Sequence, residues 1–163
     1  LPFYDPAQFQ SVDGVYGVAD HLNAAAAEAK AAGLRFGYHN HWFEFAPING
    51  KPAFEYLLER LSPDVEFELD LYWAKVGGQD PNALIKRLGD RVPLLHVKDG
   101  PATGYEAAMV AVGDGVMGYP GLLDGHKAEW LVVELDRCDT DMFTAIERSY
   151  AFLTKSGVAH GRK

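Results

Sequence analysis

The stretch Tyr38-His39-Asn40-His41-Trp42-Phe43-Glu44-Phe45 sets two imidazoles, an amide and a carboxylate directly after a short apolar run. It reads as the carboxyl end of a strand covering 34–41. Side chains alternate across a strand, so Arg35, Gly37, His39 and His41 share one face, and Phe36, Tyr38 and Asn40 share the other. Two imidazoles so placed can converge on a metal ion or a polar substrate, because neutral imidazole is a common transition-metal ligand. For this stretch alone, a hydrogen-bonded structural pair is the plain alternative. The decision comes from what lies on either side.

Upstream, residues 1–17 carry Pro2, Pro6, Gly14 and Gly17 and read as loop, with room for one helical turn. The alanine-rich run 18–32 is strongly helical, with Gly33 placed as its left-handed cap. Downstream, Pro47-Ile48-Asn49-Gly50 is a turn, and 52–61 spaces Phe54, Leu57, Leu58 and Leu61 as the apolar side of a helix. A second strand, 65–71, alternates Val65, Phe67, Leu69 and Leu71 with Glu66, Glu68 and Asp70. Asp80-Pro81 then opens a helix with Leu84, Ile85 and Leu88 as its buried stripe. The third strand, 92–98, puts Leu94, His96 and Lys98 opposite Leu95 and Val97. Residues 99–119 form a long glycine-rich loop with a short helical turn near 106–110, the kind of segment that serves as a binding loop or lid. A weak helix at 120–127 and a fourth strand at 130–135 follow. Asp139 or Thr140 then caps a last helix whose Phe143, Ile146, Tyr150 and Leu153 face inward, and the tail 157–163 frays.

Strands alternating with helices imply an α/β fold with a parallel sheet and right-handed crossovers. Each strand has one apolar and one polar or small face, whereas an open sheet covered by helices on both sides would be apolar on both. The asymmetry favours a wall of a (β/α) TIM-type barrel. Four strands make about half of one, within a single domain, 1–163.

The totals narrow the function. With 163 residues, 48% hydrophobic and 23% charged, the chain is an ordinary globular domain. A formal charge of −8 argues against nucleic-acid and anionic-membrane partners, which need a basic patch. Cys138 is the only cysteine, so no internal disulfide and no thiolate cluster can form. With no signal peptide and no apolar run near the ~18 residues of a membrane span, the expected location is cytoplasmic. A start at Leu1, in loop chemistry, suggests that residues precede it.

All four strands end in ionisable groups: His39 and His41, then Asp70, then His96 with Lys98, then Glu134 with Asp136. In parallel barrels the reactive groups sit at those carboxyl ends. One or two His with Asp and Glu suit a divalent manganese, zinc, magnesium or iron ion. Each has a plainer reading: Asp70 as a helix cap, His96 as a satisfied core histidine, Lys98 and Asp99 as an ion pair. Glu134 resists one, since a carboxylate at a buried strand end needs a cation or several donors. Arg35, Glu66 and Glu68 read as an internal ion-pair layer, and His21, His126 and His160 as surface residues.

Taken together, Tyr38-His39-Asn40-His41 with Glu44-Phe45, Glu68-Leu69-Asp70-Leu71-Tyr72-Trp73 with Gly77-Gly78, His96-Val97-Lys98-Asp99, Val112-Gly113-Asp114-Gly115 and Val133-Glu134-Leu135-Asp136 resemble the sugar phosphate isomerase/epimerase superfamily, the xylose isomerase-like barrels. The resemblance implies an eight-stranded barrel of which this chain is the carboxyl-terminal half, completed by a missing amino-terminal half or by a homo-dimer. It implies one divalent ion held by a Glu, an Asp, a His and a Glu, matched here by Asp70, His96 and Glu134. The first position departs from the pattern and falls on His39, with His41 and Glu44 as alternatives. It further implies a sugar or polyol substrate, Glu134, Lys98 and His41 as catalytic groups, and Glu44, Trp42 and Trp73 as substrate contacts. The implied reaction is proton abstraction next to a carbonyl, giving isomerisation or epimerisation. A dehydratase or lyase on the same scaffold, or a non-catalytic half-barrel, are the alternatives.

Overall fold

The structure, a computed structural model, describes residues 1–161. Its main sheet has four parallel strands that lie side by side in chain order, Phe36–His39, Val65–Asp70, Leu94–Val97 and Trp130–Val133, with helices on one side: a partial barrel, as the strand pattern predicts. The helix α1, Val12–Ala31, starts six residues earlier than its alanines suggest. Ser11 caps it by accepting from Gly14 N, and Asp5 caps a single 3-10 stretch, Pro6–Gln10, just before. Gly14 is helical for a steric reason: a Cβ there would collide with the Gln8 carbonyl. Gly33 closes the helix at φ 72°.

β1, Phe36–His39, pairs with β4, Val65–Asp70, in a register that sets Gly37 beside Glu66 and His39 beside Glu68. Strand conformation ends at His39, so His41 lies beyond the strand rather than on it. Between β1 and β4 come the hairpin β2 (Pro47–Ile48) and β3 (Lys51–Pro52), turned by positive-φ Asn49 and Gly50, and α2, Ala53–Arg60. β4 runs directly into α3, Leu71–Val76, a helix that the alternating pattern hides. Then follow α4, Pro81–Leu88, capped by Asp80, and β5, Leu94–Val97, which places His96 beside Asp70.

The segment 99–119 is irregular, and no helical turn forms near 106–110. Instead Asp99 pairs in a β-bridge with Val110, and its carboxylate accepts from Gly100 N, Gly113 N and Met117 N. The expected helix at 120–127 shrinks to a 3-10 turn, Gly121–Leu123. β6, Trp130–Val133, is the last strand, and α5, Met142–Lys155, is capped by Asp141 rather than Asp139 or Thr140. Its buried residues are Ala145, Ser149 and Leu153, while Phe143 is 80% exposed and Ile146 and Tyr150 also face out. The cause is polar: Ser149 Oγ accepts from Val112 N at 2.9 Å, which turns that side of α5 toward the long loop. Residues 157–161 of the predicted fraying tail follow α5 without regular structure, and 162–163 lie outside the described residues.

The two faces of the sheet differ as the alternation requires. Tyr38, Phe67, Leu69, Leu95 and Val97 are fully buried among Leu22, Phe54 and Leu57 of the helices. Burying one such side chain stabilises by roughly 1.5–3 kcal/mol. The opposite face carries the ionisable groups. Near its amino ends Arg35 pairs with Glu66 and Glu129, both at 2.9 Å, whereas Glu68 leaves that expected layer and faces His96.

Candidate metal centre

Three strand ends bring His39, Asp70 and His96 together. One ligand atom from each lies within 4.8 Å of the others, and all three residues are buried. The sequence leaves Asp70 between helix cap and ligand, and its two oxygens divide the roles. Oδ1 accepts from Trp73 N at 2.8 Å and starts α3, while Oδ2 is buried without a hydrogen bond. Asn40 fixes the backbone beneath it, donating to Asp70 O at 3.2 Å and accepting from Asp70 N at 2.9 Å. Sequence reasoning gave Asn40 no role. The available signal was a polar residue on an otherwise apolar strand face.

Second contacts set the imidazole tautomers. His39 Nδ1 lies 3.1 Å from the Glu68 carbonyl, which can only accept, so Nδ1 carries the proton and Nε2 keeps its lone pair on the side of Asp70, 3.9 Å away. His96 presents Nε2 to the Glu68 carboxylate at 3.1 Å and Nδ1 toward Asp70 Oδ2 at 3.6 Å, and that Nδ1 is also buried without a hydrogen bond. Burial, with the charge of His96 adding to it, pushes the His39 pKa down to about 4, so the ring is neutral at pH 7. Burial opposes the charge on Asp70, but His96, Lys98 and the Trp73 N–H hold its carboxyl below the usual range. The neutral His39 imidazole, the ionised Asp70 carboxylate with its orphaned Oδ2, and His96 with its orphaned Nδ1 make the donor set that a divalent ion needs.

Glu134 stands at the edge of this cluster. Its Oε2 is 3.3 Å from His96 Nδ1 and 2.6 Å from Lys98 Nζ, and its side chain is half-exposed. Burial disfavours its charge, yet Lys98 keeps its pKa below the ordinary value. Lys98 is not paired with Asp99. It is buried among Asp70, Glu134 and Asp136, which raise its pKa although burial opposes them.

His41 lies outside the three-residue cluster, its ring 4.9 Å from that of His39 and stacked on Phe43. Glu44 is fully buried, accepting from Tyr38 Oη at 2.6 Å and His41 N at 2.9 Å, so it braces the loop that carries His41 and presents no free face to a ligand. Trp42 and Trp73 meet at 4.8 Å between ring centroids. Tyr105, from the long loop and without any signal in the sequence, stacks on Trp42 at 4.3 Å. Lys98 Nζ sits 5.6 Å from the Trp73 ring centre, which ties this aromatic wall to the polar cluster.

Residues 5–153 match the family described as the xylose isomerase-like TIM barrel. The chain belongs to that family. Among solved structures it is similar to two of sugar phosphate isomerase/epimerase from Parabacteroides distasonis ATCC 8503. The first is 31% identical over 93% of this chain and 55% of that one, with a TM-score of 0.77. The second is 26% identical over 98% of this chain and 59% of that one, also at 0.77. A probable 3-DHS dehydratase from Bacillus anthracis, 15% identical, shares the fold alone, over 88% of this chain and 58% of that one at a TM-score of 0.66. No curated protein matches. The chain spans 55% to 59% of the length of these structures. No helix among the described residues is long and apolar enough to cross a membrane. In this xylose isomerase-like chain the ionisable groups gather at the carboxyl rim of the strands, where barrel enzymes place their chemistry.

Proposed function

We propose that the chain forms the ion-holding part of a divalent-cation-dependent isomerase or epimerase acting on a sugar or polyol. The observation that carries this is the convergence of His39, Asp70 and His96 with Asp70 Oδ2 and His96 Nδ1 buried and unbonded. Asp70 Oδ2 has only the Lys98 ammonium beside it, 3.2 Å away and outside hydrogen-bond geometry, and buried polar atoms short of bonded partners are costly. His39, Asp70 and His96 would hold the ion, with Glu134 beside them as a fourth ligand. Bound there, a divalent cation supplies Lewis acidity toward a substrate carbonyl and its neighbouring hydroxyl.

The rest is done by the chain's own groups. Glu134 is ionised and half-exposed at the rim, so its carboxylate takes the proton from the carbon next to the carbonyl. The Lys98 ammonium donates to the oxygen on which negative charge develops. His41, its ring 4.9 Å from that of His39, handles a proton at a second position. Trp42 and Trp73 pack together beside Lys98 and keep water from that side of the rim, and Glu44 holds the His41 loop in place. The substrate is a small neutral molecule rather than a nucleic acid, in keeping with the formal charge of −8.

The test is proton exchange. Aldoses, ketoses and oxidised polyols are incubated with the chain and Mn²⁺ in D₂O, and loss of the proton next to the carbonyl is followed by NMR. Exchange that disappears in Glu134→Gln is expected. Inversion at that carbon marks an epimerase, carbonyl migration an isomerase, and an unsaturated product a dehydratase. Absence of exchange from every substrate contradicts the proposal.

A further inference from the structure

The same cluster contains a cation of its own. Lys98 Nζ lies 3.2 Å from Asp70 Oδ2, 2.6 Å from Glu134 Oε2 and 2.8 Å from Asp136 Oδ2, with its side chain 1% exposed. Of the three contacts only that to Asp136 has hydrogen-bond geometry. The ammonium reaches all three carboxylates, Glu134 at the shortest distance, and Asp136 is the partner among them that stands apart from the candidate ion ligands. The oxygens of Asp70 and Glu134 are also the ones a divalent ion at His39, Asp70 and His96 would draw on.

We propose that Lys98 is an internal counter-ion competing with the divalent cation for Asp70 and Glu134, and that Asp136 is the positioning residue that keeps the ammonium when the cation takes those oxygens. The inference rests on the ion site proposed above and adds to it a reason for the third carboxylate. A buried lysine facing two carboxylates beside a divalent ion leaves an excess of positive charge. A lysine with its own carboxylate does not. Competition for shared oxygens also lets cation binding free Lys98 toward the substrate, so the ammonium reaches its catalytic role only in the loaded site.

Charge competition makes an unusual prediction about removing a buried charged group. Calorimetric titration with Mn²⁺ alone should show Lys98→Met binding the ion at least about tenfold more tightly than the parent chain, since two positive charges a few ångströms apart no longer repel. In chelator the same variant should melt at a lower temperature, because its carboxylates lose their partner, and Mn²⁺ should restore it. Asp136→Asn should weaken Mn²⁺ binding by about threefold or more, since Lys98 then has only Asp70 and Glu134 to hold. That effect should shrink toward none in the Lys98→Met background, because Asp136 acts through Lys98.

Unchanged or weaker Mn²⁺ binding by folded Lys98→Met overturns the inference while leaving the ion site standing, provided that His96→Ala abolishes binding in the parent chain. If Lys98→Met does not fold, the partly exposed Asp136→Asn decides, and unchanged affinity there overturns it. Failure of both the parent and Lys98→Met to bind Mn²⁺ removes the ion site and this inference together.

Discussion

At the scale of single residues, one carboxylate and one imidazole carry the argument. Asp70 divides its oxygens between a helix cap and the candidate ion, so two substitutions should separate the roles. Asp70→Asn keeps an oxygen for Trp73 N and should abolish Mn²⁺ binding at small cost in stability. Asp70→Ala should lose the ion and a further ~1 kcal/mol from the cap. Urea unfolding beside metal titration checks both. His39 gives a pH dependence. The unfolded chain binds a proton near pH 6.5, but the buried ring refuses it until about pH 4, so between those values the folded state binds fewer protons. Stability is complete above that window and falls as pH drops through it. In chelator the chain should lose about 2 kcal/mol between pH 7 and pH 5, a loss largely absent in His39→Gln. Equal stability of parent and variant at both pH values would contradict this. Asp70 and His96 are legible because alternation puts each on the polar face of its strand, and Glu134 because it is a carboxylate at the end of one. Asn40 is not, because its partners are backbone atoms of a strand thirty residues away.

At the scale of elements, strands and capped helices could be read, and the irregular segments could not. Asp80-Pro81 announced α4, and the period of two announced β4. The segment 99–119 announced a long loop but not its internal order, because that order comes from one buried carboxylate. Asp99 satisfies three backbone N–H groups, so Asp99→Ala should cost about 2–4 kcal/mol and open the loop to proteolysis, with the cut sites mapped by mass spectrometry. The last helix misleads for a related reason. Its apolar period selects Phe143, Ile146 and Tyr150, but Ser149 bonds the loop and faces in. Ser149→Ala should therefore destabilise by about 1–3 kcal/mol, while Phe143→Ser changes stability by roughly 0.5 kcal/mol or less. The opposite ranking would show that α5 buries its apolar stripe.

At the scale of the whole molecule, the polar inner face of the sheet distinguishes a barrel wall from an open sheet on the sequence alone. What the sequence could not supply is the closure. β1 and β6 are the edges of the sheet, and unpaired edges invite association. Leu1 covers part of the β1 edge, donating to Gly37 O and accepting from His39 N, whereas β6 carries the exposed Trp130. The chain alone is thus expected to associate as concentration rises, and a stable monodisperse monomer by light scattering would contradict that. The central claim is that the rim holds a cation. Anomalous diffraction from crystals soaked in Mn²⁺ tests it directly. A peak bounded by His39 Nε2, Asp70 Oδ2 and His96 Nδ1 is predicted, and crystals that diffract well without a peak among those atoms would contradict the account.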